Sequence, residues 1–238
     1  TELRDNSEYD ERRANIRAWN RNSSTLKRGI ALTPVKFGIS FTLTFLNQAG
    51  ALVHVYNDGS IHLNHGGTEM GQGLFTKVAQ VAAHSFQVDI DRVKITATHT
   101  GKVPNTSATA ASSGSDLNGM ATADACAKIK RRLQNFAAEH WQTSLDQVSF
   151  VSGKVRIGSD EISFDELVAL AYRARVSLSA TGFYATPKID WDKTQAKGRP
   201  FLYFAYGAAV TEVAIDTLTG ENRLLRVDIL HDVGKSLN

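Results

Sequence analysis

The sequence predicts an α+β fold, with mixed β-sheets and packed helices. Three observations lead there. Apolar residues recur at helical spacing in several separate blocks, β-like segments lie around them, and the two types do not alternate in the regular strand–helix–strand order of a parallel sheet. A chain of 238 residues with 42% hydrophobic content has enough apolar material for a core, and 21% charged residues argues against disorder.

Residues 7 to 21 are polar and charged, with Ile16 and Trp19 as apolar anchors, which fits a surface helix docked by one edge. From Gly29 the pattern turns to β. Pro34 and Gly38 in GIALTPVKFGIS predict an edge or broken strand. ALVHVY and SIHLN flank Asn57, Asp58 and Gly59, which accept the backbone angles of a hairpin turn. Leu74, Val78, Val81 and Ala82 then mark an amphipathic helix, and VKITATH (93–99) a strand. A second long helix begins near Asp116, with Cys126, Ile129, Leu133, Phe136 and Ala137 as its core face. Beyond Trp141 come a small hairpin (VSFVSGKVRIG and EISF), a helix over 164–173 and the strand VSLSATGFYA. A polar loop through Trp191 and Pro200 leads to the pair YFAYGAAVTEVAID and RLLRVDILHDV, which turns between Asp216 and Asn222. The organisation expected is a helical lead-in over residues 1–27 and one partial domain over 28–238.

Composition excludes several function classes. A formal charge of +3, with basic residues scattered among acids, makes a weak case for a nucleic-acid partner. No apolar run approaches the ~20 residues needed to span a bilayer, so a membrane partner is not expected. One cysteine, Cys126, rules out a disulfide framework, a cysteine-ligated iron–sulfur cluster or a four-cysteine zinc site within this chain, and suggests a cytoplasmic setting. Its place in a helical apolar stripe reads as packing. His62 and His65, three apart in an extended segment, point to opposite faces and do not share a metal easily, and His84 reads as a packed or surface residue. Lys128, Lys130, Arg131 and Arg132 read as a solvated helix face.

The stretch HGGTEMGQGLF (65–75) carries the strongest functional signal. It is not a phosphate loop: Gln72 stands where a lysine is needed, and Thr76 breaks the glycine spacing of a dinucleotide motif. What survives is backbone freedom at Gly66, Gly67, Gly71 and Gly73, immediately before a helix N-terminus, where amide groups can approach a ligand. Gln72 is either an uncharged donor–acceptor pair for a polar ligand atom or a solvent-facing amide, and Glu69 is expected to brace the turn. Thr106 to Ser115 form a second run of small residues before a second helix. It reads either as a flexible linker or as a loop that converges with the first on one ligand.

The blocks FGISFTLTFLNQAGALVHVYNDGS, HGGTEMGQGL, VPNTSATAASSGSDLNG, SLSATGFY and DVGKSLN, in this order, resemble the molybdenum-cofactor domain of the xanthine dehydrogenases and oxidases, in the molybdenum hydroxylase family. The resemblance runs from about residue 28 to the end. Aldehyde oxidases share the MGQG element, but typically have paired glycines where this chain has Ala110 and Ala111, and another residue at Thr181.

The resemblance implies part of a two-lobed molybdopterin-binding domain, and hydroxylation of hypoxanthine and xanthine to urate with oxygen taken from water. The cofactor implied is a molybdenum–pyranopterin, with 2Fe–2S centres and FAD on other parts or subunits passing electrons to NAD or oxygen. By motif match, Gln72 resembles the glutamine that addresses the apical oxo ligand, so no residue here ligates the metal directly. Met70 and Gly71 are implied as backbone contacts to the pterin, and Thr109, Ala110, Ala111 and Ser112 as the second cofactor loop. Phe41 and Thr42 are implied as purine contacts. The family's glutamate base falls downstream of DVGKSLN, and its purine-contacting arginine and glutamate upstream, so no catalytic residue is expected in this chain. The expectation is an internal piece of a larger polypeptide, inactive alone. The alternatives are an aldehyde oxidase domain, or a structural and assembly module without bound cofactor.

Overall fold

The computed structural model describes residues 2–103 and 106–237. Pro104 and Asn105, in the quoted block VPNTSATAASSGSDLNG, and Asn238 of DVGKSLN lie outside the described residues. In chain order the elements are α1 (Glu2–Asn6), α2 (Tyr9–Asn22), β1 (Leu26–Gly38), β2 (Gln48–Val55), β3 (Ile61–His65) and α3 (Leu74–Phe86). There follow β4 (Val93–Ile95), α4 (Gly114–His140), β5 (Val148–Val151), β6 (Lys154–Ile157), β7 (Asp160–Ser163) and α5 (Phe164–Arg173). The last are β8 (Ser179–Ala185), β9 (Asp190–Asp192), β10 (Lys197–Arg199), β11 (Phe204–Asp216) and β12 (Asn222–Asp232). Helices and several separate sheets make the fold α+β, as the sequence predicts.

The chain forms two compact units, residues 1–39 with 203–236 and residues 40–202 with the last two. In the first, β11 is the centre of a three-stranded antiparallel sheet between β1 and β12. β1 pairs with β11 without interruption from Leu26↔Asp216 to Gly38↔Phe204. Pro34 therefore marks an edge, as expected, but no break: an edge strand has one side free of pairing, and a missing N–H costs nothing there. α2 lies on this sheet through buried Ile16. Arg12 reaches Glu212 at 2.7 Å and Asp228 at 2.9 Å, with only 12% of its side chain exposed. The Arg28 guanidinium sits 4.6 Å from the centre of the Trp19 ring. The segment expected as a helical lead-in thus contains α1, α2 and the first residues of β1.

The second unit is built on a four-stranded sheet in the order β4-β3-β2-β8. β2 and β3 form the expected hairpin around Gly59, whose φ is 80°. β3 and β4 run parallel, joined by the glycine-rich turn and α3. The strand expected over 93–99 ends at Ile95, because the chain then turns to clamp that glycine-rich turn: the Thr98 hydroxyl bonds the carbonyls of His65 at 3.0 Å and Gly67 at 3.1 Å. α3 and α4 pack on one another, and α4 crosses β2 and β8. Gly182 on β8 makes that crossing possible, since a Cβ there would stand 1.9 Å from the Ala121 carbonyl oxygen of α4.

The core joins Val53, Ile61 and Leu63 of the sheet to Val78 and Phe86 of α3 and to Cys126, Ile129, Leu133 and Ala137 of α4. Phe136, expected on the same face, is only partly buried. Burial raises the Cys126 thiol to about 12, consistent with a packing role. β5, β6 and β7 form a three-stranded meander rather than a single hairpin, and Ser163 and Glu166 cap α5 reciprocally. The polar loop after β8 contains the β9–β10 pair.

The basic run on α4 is a solvated face only in part: Lys128 and Arg131 are exposed, whereas Lys130 and Arg132 are half-buried. Lys128 donates to Asp124 at 2.7 Å and to the Thr181 carbonyl at 3.0 Å, and Arg132 donates to the Ser179 carbonyl at 2.7 Å. Lys130 donates to the Ser85 carbonyl at 2.9 Å and lies over the Phe150 ring. Their long stems let the charged ends fill backbone acceptors on neighbouring elements, which periodicity along one helix does not reveal.

Candidate functional site

The two small-residue loops converge. Each precedes a helix, α3 or α4, and the packing of those helices brings their N-terminal ends together. The Thr68 amide donates to the Thr109 hydroxyl at 2.8 Å. A Cβ on Gly66 would lie 2.1 Å from the Thr106 side chain, and one on Gly67 would meet Leu74 at 2.6 Å and Asn118 at 2.8 Å. The second loop leaves no room for a Cβ at Gly66, and side chains of α3 and α4 crowd the same place at Gly67.

Between the loops lies a cavity of about 360 Å³ lined by Met70, Gln72, Leu74, Lys77, Thr109, Ala110, Ser112, Gly114 and Ser115. Five of the seven expected cofactor residues thus line one space, and Gly71 and Ala111 are their chain neighbours. Phe41 and Thr42 are not among the lining residues. Phe41 is held elsewhere in the same unit by Asn47, whose Oδ1 accepts its amide at 2.8 Å and whose Nδ2 donates to its carbonyl at 2.9 Å. Lys77 was not anticipated. It stands one helical turn beyond Gly73, a spacing that puts it on the cavity side.

The turn is braced by its own side chains. Glu69 accepts the amides of Gly71 at 2.9 Å, Gly73 at 3.0 Å and Phe75 at 3.0 Å, covering the open N-terminus of α3. The Phe75 amide foremost, with those of Gly73 and Gly71, holds the carboxyl below the usual glutamate range. Gln72 Oε1 accepts the Met70 amide at 2.5 Å, and Gln72 Nε2 donates to the Thr68 carbonyl at 2.9 Å. The amides of Met70 and Gly71 are therefore engaged inside the turn. One Nε2 hydrogen of Gln72 is left for another acceptor.

Gly71 and Gly73 have φ of 93° and 73°, with no atom within 4 Å of the place a Cβ would take. Ala111 and Ser112, at φ of 54° and 56°, are two successive non-glycine residues in the left-handed region. Strain of this kind is held only where surrounding structure fixes it, and it clusters at binding sites. Beneath the loops, Thr106 Oγ1, Asn118 Oδ1 and His65 Nε2 are buried and find no hydrogen-bond partner among the described residues. No cluster of histidine, cysteine or carboxylate side chains able to hold a metal ion occurs among the described residues. The cavity offers uncharged donors and acceptors, open backbone and one ammonium group, a set suited to a polar ligand.

Comparisons with known proteins show the family of the chain. The profile of the molybdopterin cofactor-binding domain matches residues 2–238. The mouse xanthine dehydrogenase/oxidase is 49% identical over 232 residues, covering 98% of this chain and 16% of the relative. The xanthine dehydrogenase of Dictyostelium discoideum is 48% identical over 240 residues, covering 100% of the chain and 16% of that relative. The chain therefore spans about 16% of the length of these curated relatives. Among solved structures, quinoline 2-oxidoreductase from Pseudomonas putida 86 superposes with a TM-score of 0.79 at 20% identity, over 100% of this chain and 30% of that one. Carbon monoxide dehydrogenase from Oligotropha carboxidovorans gives 0.80 at 22% identity, over 100% and 30%. At such identities the superpositions establish the fold, whereas the profile and the close relatives establish descent: the chain belongs to the molybdopterin cofactor-binding domain family and is similar to one segment of much longer xanthine dehydrogenases.

Proposed function

We propose that this chain forms one wall of the molybdenum–pyranopterin site of a xanthine dehydrogenase-type enzyme, within a larger polypeptide or complex that hydroxylates hypoxanthine and xanthine to urate in the cytoplasm. The observation that carries the reading is the convergence of residues 66–73 and 106–115 on one cavity, lined by Met70, Gln72, Thr109, Ala110 and Ser112. When bound, the cofactor supplies two-electron redox chemistry at molybdenum. The residues here bind and orient. Gln72, already anchored by two hydrogen bonds, points a spare N–H donor from a fixed amide, while Met70, Gly71 and the Thr109–Ser112 segment bound the space for the pterin and Lys77 favours its anionic end.

Phe41 and Thr42 are assigned to the purine, Phe41 by its ring and Thr42 by its hydroxyl. The catalytic base, the 2Fe–2S centres and FAD are assigned to the remainder of the enzyme, so the 238-residue chain alone has no turnover. This division fits a chain that spans only 16% of its relatives and has one buried cysteine.

The test is the molybdenum content of the purified chain, together with xanthine- and aldehyde-dependent dye reduction by the complete parent enzyme. Xanthine-dependent reduction by the parent, with none by the isolated chain, is the expected result. Stoichiometric metal and turnover in the isolated chain would overturn the partial-site reading, and aldehyde oxidation without xanthine activity in the parent would overturn the choice of substrate.

A further inference from the structure

His65 ends β3 and is 98% buried, with 2% relative exposure, at the point where the chain enters the glycine-rich turn. Its Nδ1 accepts the Gly67 amide at 3.1 Å, and its ring meets the Phe75 ring edge-on at 5.2 Å between centres. Because Nδ1 receives an N–H, it cannot carry a hydrogen itself, so the neutral ring must hold its proton on Nε2. That Nε2 has no partner among the described residues. A second proton would set an Nδ1–H against the Gly67 N–H and leave both without acceptors, in addition to the Nε2–H. Burial opposes it further, holding the imidazole down to about 4 against the opposing field of Glu69.

The surrounding contacts make this one hydrogen bond decisive. The carbonyls of His65 and Gly67 share the Thr98 hydroxyl, and neither Gly66 nor Gly67 has space for a side chain. With glycine at both positions the backbone has no steric preference of its own, and the bend must be set by partners. Thr98 fixes the carbonyls, and His65 is the acceptor for the Gly67 amide. We infer that His65, as the neutral Nε2–H tautomer, is the positioning residue that sets the direction in which the chain leaves β3 and thereby places the loop bearing Glu69, Met70 and Gln72. Its consequence for cofactor retention rests on the function proposed above. The placement of the loop does not.

Two variants separate the acceptor from the packing. His65→Phe keeps an aromatic ring against Phe75 and removes the acceptor; His65→Asn restores an acceptor at the Nδ1 position. In the 238-residue chain, loss of one hydrogen bond should speed exchange of the Gly67 amide hydrogen about tenfold in His65→Phe, with His65→Asn close to wild type. Equal exchange in wild type and His65→Phe, or exchange in His65→Asn as fast as in His65→Phe, overturns the inference. Should His65→Phe not fold, nitrogen-15 shifts of labelled histidine in the unsubstituted chain between about pH 5.5 and 7.5 (roughly one unit either side of the free imidazole value) decide it. A bare Nδ1 with protonated Nε2 throughout supports it, and an Nδ1–H form or a cationic ring overturns it. In the complete enzyme, His65→Phe should lose molybdenum faster on dialysis. Unchanged molybdenum with a loosened loop would uphold the role of His65 and instead overturn the cofactor-wall reading.

Discussion

The Thr68 amide and the Thr109 hydroxyl, 41 positions apart, are joined by a 2.8 Å hydrogen bond that ties the loop before α3 to the loop before α4. A single neutral bond of this kind contributes about 1 kcal/mol. Thr109→Val, which keeps the shape and removes the acceptor, should therefore lower the stability of the chain by no more than about 1.5 kcal/mol in urea unfolding. Its larger effect should be on molybdenum occupancy of the complete enzyme, because the cavity needs both loops in place. Full occupancy in that variant would mean that helix packing alone sets the spacing of the loops.

Glu69 links the turn to pH. Its carboxylate accepts three amides at the start of α3, and its folded value lies below the ordinary glutamate value. A lowered folded value stabilises the folded state fully above the unfolded value, about 4.3, and that stabilisation is lost as pH falls through the folded value. Glu69→Gln should thus melt below wild type at pH 7, and the two melting curves should draw together below about pH 4. A melting difference that is the same at pH 3 and pH 7 would show that the carboxylate charge does not matter.

Ala111 and Ser112 occupy the left-handed region, which costs an L residue roughly 1–2 kcal/mol and glycine almost nothing. Glycine also makes the unfolded chain more flexible, offsetting about 0.4–1 kcal/mol of the gain. Ala111→Gly should therefore be neutral to about 1.6 kcal/mol stabilising, and Ala111→Val destabilising by about 1–2 kcal/mol. Equilibrium denaturation of the three proteins checks this order. A glycine variant clearly less stable than wild type would show that the Ala111 methyl group packs against something the loop needs.

Local signals along the chain carried much of this structure. The periodicity of Leu74, Val78 and Ala82, the helical stretch over 164–173 and the Asn57–Gly59 turn each depend on residues a few positions apart, and they gave α3, α5 and the β2–β3 hairpin. The convergence of the two loops was legible for a different reason: glycine and small residues before two successive helices restrict what can stand there, and α3 and α4 then pack side by side. Long-range pairing was not legible. β1 pairs with β11 from Leu26↔Asp216 onward, across most of the chain, and no local pattern names that partner. Lys130 is a second case, since its acceptor on Ser85 belongs to another helix. The roles of Thr98 and His65 were hidden for the same reason. Each looks like an ordinary strand residue until the turn between them is seen.

Gln72 combines a local duty with the one proposed for the cofactor, and substitution can separate them. Its side chain bonds the Met70 amide and the Thr68 carbonyl, both within the turn, and is exposed. Removing two exposed hydrogen bonds should cost the fold about 1 kcal/mol or less, because water replaces both partners. A residue that holds a ligand of the metal in place typically changes activity by about 10–100-fold when removed. Gln72→Ala should accordingly leave the melting temperature of the chain within a few degrees of wild type (about 2–4 °C per kcal/mol at this size), while kcat/KM for xanthine in the complete enzyme falls at least tenfold. Gln72→Glu sharpens the comparison. It keeps an acceptor for the Met70 amide but sets a carboxylate oxygen against the Thr68 carbonyl, so it should disturb the turn more than Gln72→Ala does. If kcat/KM followed only the order of turn stability, with Gln72→Ala the milder variant in both measurements, Gln72 would be a brace for its own loop; activity lost equally in both, with only Gln72→Glu loosening the turn, is the outcome expected of an amide donor directed at the cofactor.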